Sequence, residues 1–509
     1  MRAKNIGKNS FFSVFAQTLI IIAGFFCQRV ITLKIGTELV GLNGVTSNVI
    51  SIFSITELGL STAIVFHLYR AFAEGAKEKQ AALMKLFRNA YIGVAASIAV
   101  LGFSFLPFVH LFLRENHFSL SYVRLIYSLW VIKTILGYLL SYKRSIIIAD
   151  QREYISSLAA MVVSVLNYVS TIIIVMIWGN YEWALGIGIV FEVIVNLCLM
   201  AYVDKVYPYL KEYRKQKPNQ GLVQSVFSDV KNLFVTTMAQ RLLGCTDNLI
   251  ISSNISTIMV GVYSNYCLIT QSLINLMQAL ANALQPTIGN LIVEGDKKRD
   301  EEILQTFTFV FFLLSTILLS GVSATASLFV GRIWLGEACI LPRVTVMFMA
   351  VNCTFYVINL PIGCYVSASG LFRSEKIVAA SAAVTNLVLS LVLVKPMGLN
   401  GVLLGSFVAY LILFAGKSIA FYHEYLKKSA RRYVFQMVGY MVLNMGEALL
   451  CIMLTDKICH DFTIARFLFS IIICIMLPSV INLALFFRSV RFRSLIHFLK
   501  TYIKRTHEI

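Results

Sequence analysis

The chain has 509 residues, of which 58% are hydrophobic and only 14% charged, whereas a soluble protein of this size carries nearer a quarter. Its formal charge is +19, but the basic residues lie in short segments between apolar runs, a membrane address rather than a groove for phosphodiester, so no nucleic-acid partner is expected. Apolar runs of about 20 residues, enough to span roughly 30 Å of hydrocarbon, recur to the C-terminus and describe an all-α, multi-pass membrane protein without a soluble domain.

Hydropathy places 14 spans, at 10–33, 41–68, 88–113, 120–142, 154–178, 183–206, 229–254, 257–292, 303–330, 341–366, 376–396, 399–421, 433–455 and 464–487. In the first, no small-x-small cleavage site follows Cys27, and the run continues past Gln28 and Arg29, so it reads as an uncleaved span. Arg29 keeps its proton at any accessible pH and must be paired, snorkel or face water. Gln17, Ile21, Gly24 and Gln28 share one helical stripe, with Arg29 on the adjoining one. In the second span Glu57 is a carboxylate that can hold H+ or Na+ and couple transport to a gradient, or serve as counter-ion to Arg29 or Lys133. Lys133 lies near mid-depth in the fourth span, too deep for easy escape, and is expected to face a cavity, while Arg124 lies nearer the outside.

In the seventh span Thr237, Arg241, Gly244 and Asn248 form one stripe with Gln240 and Asp247 beside it; Arg241 and Asp247 are either structural partners or functional groups, and Asp247 is a second ion-coupling candidate. In the eighth, Ser264, Gln271, Asn275, Gln278, Asn282 and Gln285 line one face for about 30 Å at 1.5 Å per residue. Isolated amides glue helices together, but six in register point to a wet cavity. Pro286 follows, where a kink is expected. Glu192 and Glu447 are further acidic candidates, and Lys417 is expected to snorkel. Gly416-Lys417-Ser418 resembles the end of a phosphate-binding loop, but position 411 is Leu, which removes the first glycine. Gly401 and Gly405 mark close helix packing. The ten cysteines have no paired spacing and read as small apolar residues, and the seven histidines are dispersed; no catalytic or metal-binding constellation and no cofactor is expected.

Lysine and arginine are roughly fourfold more abundant in the loops on the N-terminal side, which places both termini in the cytoplasm. After Phe487 the tail alternates apolar and basic residues, as an amphipathic helix on the inner leaflet would. An internal repeat at an offset of about 220 residues matches Val40-Gly41 with Val260-Gly261, and Glu74-Gly75 with Lys77 to Glu294-Gly295 with Lys297. Two pseudo-symmetric six-helix lobes follow, at 1–206 and 229–421, joined by a cytoplasmic linker at 207–228; spans 13 and 14 at 422–487 and the basic tail at 488–509 are appended.

The patterns Gln28-Arg29-Val30, Gly41-Leu42, Glu57-Leu58-Gly59-Leu60-Ser61-Thr62-Ala63 and Leu68-Tyr69, with Asp247-Asn248-Leu249-Ile250-Ile251-Ser252 and Val260-Gly261-Val262-Tyr263-Ser264, resemble the Wzx-type flippases of the multidrug/oligosaccharidyl-lipid/polysaccharide (MOP) exporter superfamily. The resemblance implies MATE-like lobes around a central cavity that opens alternately to each side of a bacterial cytoplasmic membrane. It implies as cargo a short glycan on an undecaprenyl diphosphate carrier, a polysaccharide polymerase and assembly machinery as partners, and a transporter rather than an enzyme. The diphosphate then calls for the cations Arg29, Lys133 and Arg241, and the glycan for the amides Gln28, Asn248, Gln271, Asn275, Gln278 and Asn282. A single chain enclosing its own pathway makes a monomer the expectation. The rival readings are a flippase for the peptidoglycan precursor and a cation-coupled multidrug exporter, for which 12 spans are usual.

Overall fold

A computed structural model of the chain describes residues 2–57, 59–115, 117–213, 219–489 and 491–493, so most of the expected basic tail lies outside the described residues. Every regular element among them is helical. In chain order these are α1 (Arg2–Lys34), α2 (Thr37–Phe53), α3 (Leu60–Ala73), α4 (Lys77–Phe105), α5 (Leu120–Ser141), α6 (Arg144–Ala149), α7 (Glu153–Trp178), α8 (Tyr181–Val206) and α9 (Tyr209–Glu212). They continue with α10 (Gln220–Asn254), α11 (Thr257–Glu294), α12 (Lys297–Leu328), α13 (Arg343–Ala368), α14 (Phe372–Met397), α15 (Leu399–Ala420), α16 (Arg431–Ile458) and α17 (Ile464–Phe486). Among the described residues 12 helices are long and apolar enough to cross a membrane.

The two expected spans outside that set differ instructively. Segment 41–68 is not one helix: α2 stops at Phe53, a 3-10 turn covers Ser54–Glu57, and Gly59 at φ 83 starts α3. A left-handed residue costs an ordinary side chain roughly 1–2 kcal/mol and glycine almost nothing, so the chain breaks there. Segment 229–254 lies inside the 35-residue helix α10, which carries Asp229, Lys231, Arg241 and Asp247. α11 runs without interruption past Pro286.

The chain clusters into two compact units, Met1–Ser264 and Asn265–Ile509. The first has a core of Leu60, Ile64, Leu68, Phe87, Ile98, Ile146 and Val203 with their neighbours. Within it the repeat meets itself. A methyl group on Gly41 would overlap the Thr257 carbonyl and come within 3.1 Å of the Gly261 nitrogen; one on Gly261 would overlap the Thr37 carbonyl and come within 3.1 Å of the Gly41 nitrogen. Residue i thus touches residue i+220 and the reverse, which is the signature of a two-fold axis. The equivalent turns are alike as well. Gly75 and Gly295 have φ of 67° and 77°, and Lys77 and Lys297 each donate a backbone N–H to the glycine carbonyl two residues back at 3.1 Å. Lys79 donates to Glu74 at 2.8 Å as Arg299 does to Glu294 at 2.9 Å.

The second unit has an aromatic core that includes Phe309, Phe311, Phe312, Tyr365, Phe421 and Tyr433. Glycines of α15 form its tightest seam: Gly401, Gly405 and Gly416 lie against Leu393, Ser390 and Val378 of α14, each too close for a β-carbon. α16 is tied to α12 by buried polar contacts, Asn444 to Ser315 (3.1 Å) and Thr316, and Tyr433 to Thr308 (3.0 Å). Asn482 of α17 donates to Glu447 of α16 at 2.9 Å. Lys417 does not snorkel. It is half-buried and pairs with the buried Glu375 of α14 at 3.2 Å. Removing one member of a buried pair strands the other charge, so Glu375→Ala should destabilise the protein by about 3–5 kcal/mol, whereas Glu375→Leu with Lys417→Met should be near neutral. Thermal unfolding in detergent checks this; equal effects of the single and double variants would refute it.

Seven of the ten cysteines are buried, Cys267 and Cys459 are half-buried and Cys198 is exposed; all are free thiols.

Candidate functional site

The break between α2 and α3 organises the polar interior of the first unit. Interrupting a span frees backbone groups at membrane depth, which is tolerated only against protein or water. Here Glu57 is half-buried and accepts the Tyr91 hydroxyl of α4 at 3.1 Å. The Tyr91 ring meets Tyr138 of α5 edge-on at 5.4 Å, and the Tyr138 hydroxyl bonds to Ser54 in the same 3-10 turn. Arg241 of α10 is exposed and lies within electrostatic reach of both Glu57 and Tyr138. The Arg241 side chain thus stays open while the partly sheltered Glu57 carboxylate acts on it through space. Neither Arg29 nor Lys133 is the counter-ion of Glu57; the interrupted helix turns that carboxylate toward α4 and α10 instead.

A second cluster joins α5, α6 and α8. Lys133 is half-buried, 4.0 Å from Glu192, and its ammonium lies 5.0 Å above the Trp130 ring. Trp130 donates its indole N–H to Asn43 of α2 at 3.1 Å. Arg144 donates to Asn196 at 2.9 Å and also feels the charge of Glu192. With two cations and one carboxylate the cluster keeps a net positive charge, and Lys133, Glu192 and Asn196 line a small gap there. The sequence suggests no tie between Glu192 and Lys133, and in it Arg144 reads only as a topology marker. The missed signal is the spacing of Glu192 and Asn196, one helical turn apart on a single face of α8.

Arg29 stands apart from both clusters. It is exposed on α1, and no hydrogen bond or ion pair holds it among the described residues. Gly24 and Cys27 of the same helix are buried, Gly24 against the Tyr168 ring of α7 at 3.6 Å, whereas Gln17 is exposed and Gln28 half-buried. Gly24 therefore belongs to a packing seam, not to the polar stripe. Asn248 is half-buried, with its amide nitrogen against Gly44 of α2, and Asp247 beside it is half-buried too.

The amides of α11 fall into two clips. Gln271 donates to Asn275 at 3.0 Å, and Gln278 to Asn282 at 2.9 Å. Tyr356 of α13 donates to the Gln278 carbonyl at 3.2 Å. Gln271, Asn282 and Gln285 are exposed. Each clip fixes the orientation of its two amides; the first leaves the Gln271 carbonyl and the Asn275 amide donors for neutral hydroxyls, the second the Asn282 donors, its Gln278 carbonyl already accepting from Tyr356.

Comparison with known proteins agrees with this architecture. No curated protein matches the sequence. Solved structures that share the fold include the following three. The first, "Lipid II flippase MurJ, inward closed conformation", has a TM-score of 0.71 at 13% identity and covers 96% of this chain and 99% of its own. An inward-facing multidrug resistance MATE family transporter of the MOP superfamily gives 0.65 at 14% identity, covering 80% and 97%. A MOP superfamily transporter from Pyrococcus furiosus, whose structure is titled for the reverse polarity of its binding pocket, gives 0.54 at 14%, covering 84% and 97%. The family described as "Polysaccharide biosynthesis protein" matches residues 6–292, more than half of the chain. The chain therefore belongs to the polysaccharide biosynthesis protein family, as a multi-pass membrane protein with the fold of MOP-superfamily transporters.

Proposed function

We propose that the protein flips undecaprenyl-diphosphate-linked oligosaccharide repeat units from the inner to the outer leaflet of a bacterial cytoplasmic membrane, by alternating access of lobes 1–206 and 229–421, for capsule, O-antigen or exopolysaccharide synthesis. The observation that carries the reading is the exposed Arg241 within electrostatic reach of Glu57 at the interrupted span. With Lys133 and Arg29 it supplies the positive charge that a diphosphate requires. The amide clips of α11 supply paired donors and acceptors for sugar hydroxyls. Glu57 and Asp247 are the groups that would carry H+ or Na+ in a coupled cycle. In this reading both termini are cytoplasmic, the protein acts as a monomer, and its product passes to a polysaccharide polymerase.

The second reading, a flippase for the peptidoglycan precursor, is favoured by the extent of the likeness to the lipid II flippase structure. The readings separate on what accumulates in cells without the gene. A complete repeat unit on its lipid carrier, facing the cytoplasm, supports the first; accumulated lipid II supports the second. An unchanged pool of lipid-linked glycans with altered drug tolerance would overturn both in favour of a drug exporter.

A further inference from the structure

Beyond these cations, the second unit holds a basic cleft that the transport reading does not use. α15 ends at Ala420, continues as a π-turn over Phe421–Leu426 and reverses at Lys427, whose φ of 58° is left-handed, before α16 begins at Arg431. The reversal gathers His423, Lys427, Lys428 and Arg431 around a cleft of about 720 Å³ whose apolar walls include Ile419 and Phe435. These two walls are 57% and 66% exposed, in the range of other large apolar side chains on these helices. Lys428 is engaged by Glu301 at 2.5 Å, and Glu424 by the Ser374 hydroxyl. Arg431 lies 5.7 Å over the Phe435 ring. No carboxylate pairs with Lys427 or Arg431 among the described residues.

We infer that this cleft binds one anionic glycerophospholipid. Two cations without a carboxylate partner, at the junction of two membrane-spanning helices, match a phosphodiester, and the adjoining Ile419 and Phe435 walls match an acyl chain. Charge alone would attract any anion; cations set above apolar walls select an anion that carries a hydrocarbon tail. The site is separate from Arg29, Lys133 and Arg241 and does not rest on the substrate proposed above.

The test is native mass spectrometry of the full chain released from detergent, titrated in turn with phosphatidylglycerol, phosphatidylcholine, inorganic phosphate and undecaprenyl diphosphate. Phosphatidylglycerol should be retained as one tight adduct, and neither phosphatidylcholine nor inorganic phosphate should displace it. Lys427→Gly with Arg431→Gln should weaken that adduct about 25-fold, since each surface cation is worth roughly fivefold. Glycine suits the left-handed position, so the first change removes the cation without straining the turn. Lys427→Gly alone, expected to cost about fivefold, serves if the double variant does not fold. Undiminished phosphatidylglycerol binding by either variant would overturn the inference. So would displacement of phosphatidylglycerol from the wild type by equimolar undecaprenyl diphosphate, which would assign the cleft to the carrier lipid.

Discussion

Gly41→Ala and Gly261→Ala are each expected to open the contact between the two halves of the repeat. The obstacle to a β-carbon is a backbone carbonyl in both cases, Thr257 for one and Thr37 for the other, so no side-chain rotation relieves it. Overpacking of this kind costs about 1–3 kcal/mol, enough to shift a two-state population by roughly 5- to 150-fold. Leu42, fully buried beside Gly41, is the natural reporter. In a cysteine-free background, Leu42→Cys should react with a membrane-impermeant maleimide at least tenfold faster once Gly261→Ala is added (a conservative reading of that shift). Transport should fall in step, because a transporter that samples two states needs access to both. Unchanged labelling with unchanged transport would mean that the helices adjust locally and that the contact has no part in the cycle.

The other large effect is expected at Arg241. Losing a charge-assisted contact to the headgroup costs about 1.5–3 kcal/mol, so Arg241→Ala should lower transport about tenfold or more. The loss alone does not say whom the guanidinium serves. Glu57→Gln supplies the answer. If Arg241 only neutralises Glu57, and Glu57→Gln alone still transports (so that Glu57 carries no coupling ion), the neutral amide should restore Arg241→Ala to near wild-type transport. If Arg241 holds the anionic headgroup, as proposed, the double variant should remain as impaired as Arg241→Ala. Restored transport would sink the headgroup role and leave Arg241 as a neutraliser of Glu57.

Much of this arrangement is legible in the sequence, because length and apolarity decide which segments span a bilayer and glycine decides where turns fall. The repeat is legible for the same reason: the Glu-Gly turns at 74–75 and 294–295 need a left-handed residue, and the close contact at 41 and 261 tolerates no side chain. The break near Glu57 is less so, since a lone glycine in an apolar run reads equally as packing or interruption. Partner choice is the least legible. Lys133 meets Glu192 and Lys417 meets Glu375 across different helices, and nothing local to a lysine tells whether it will be met by a carboxylate or escape to an interface. Arg241 and Glu57 could each be singled out as charges inside a span; that each would lie within reach of the other could not.

The contact at Gly41 and Gly261 bears on how such a chain comes to exist. Because each side supplies the same Thr-x-x-x-Gly face, a half-length ancestor could make this contact with a second copy of itself. In such a dimer any change would strike both sides at once. Fusion into one chain frees the sides to diverge, and the residues just before them already have. Ser256 caps α11 by accepting the Met259 N–H at 3.0 Å, whereas its counterpart Gly36 stands at φ 120 with no side chain to cap α2. One helix start is thus held by a side-chain cap and its equivalent is not.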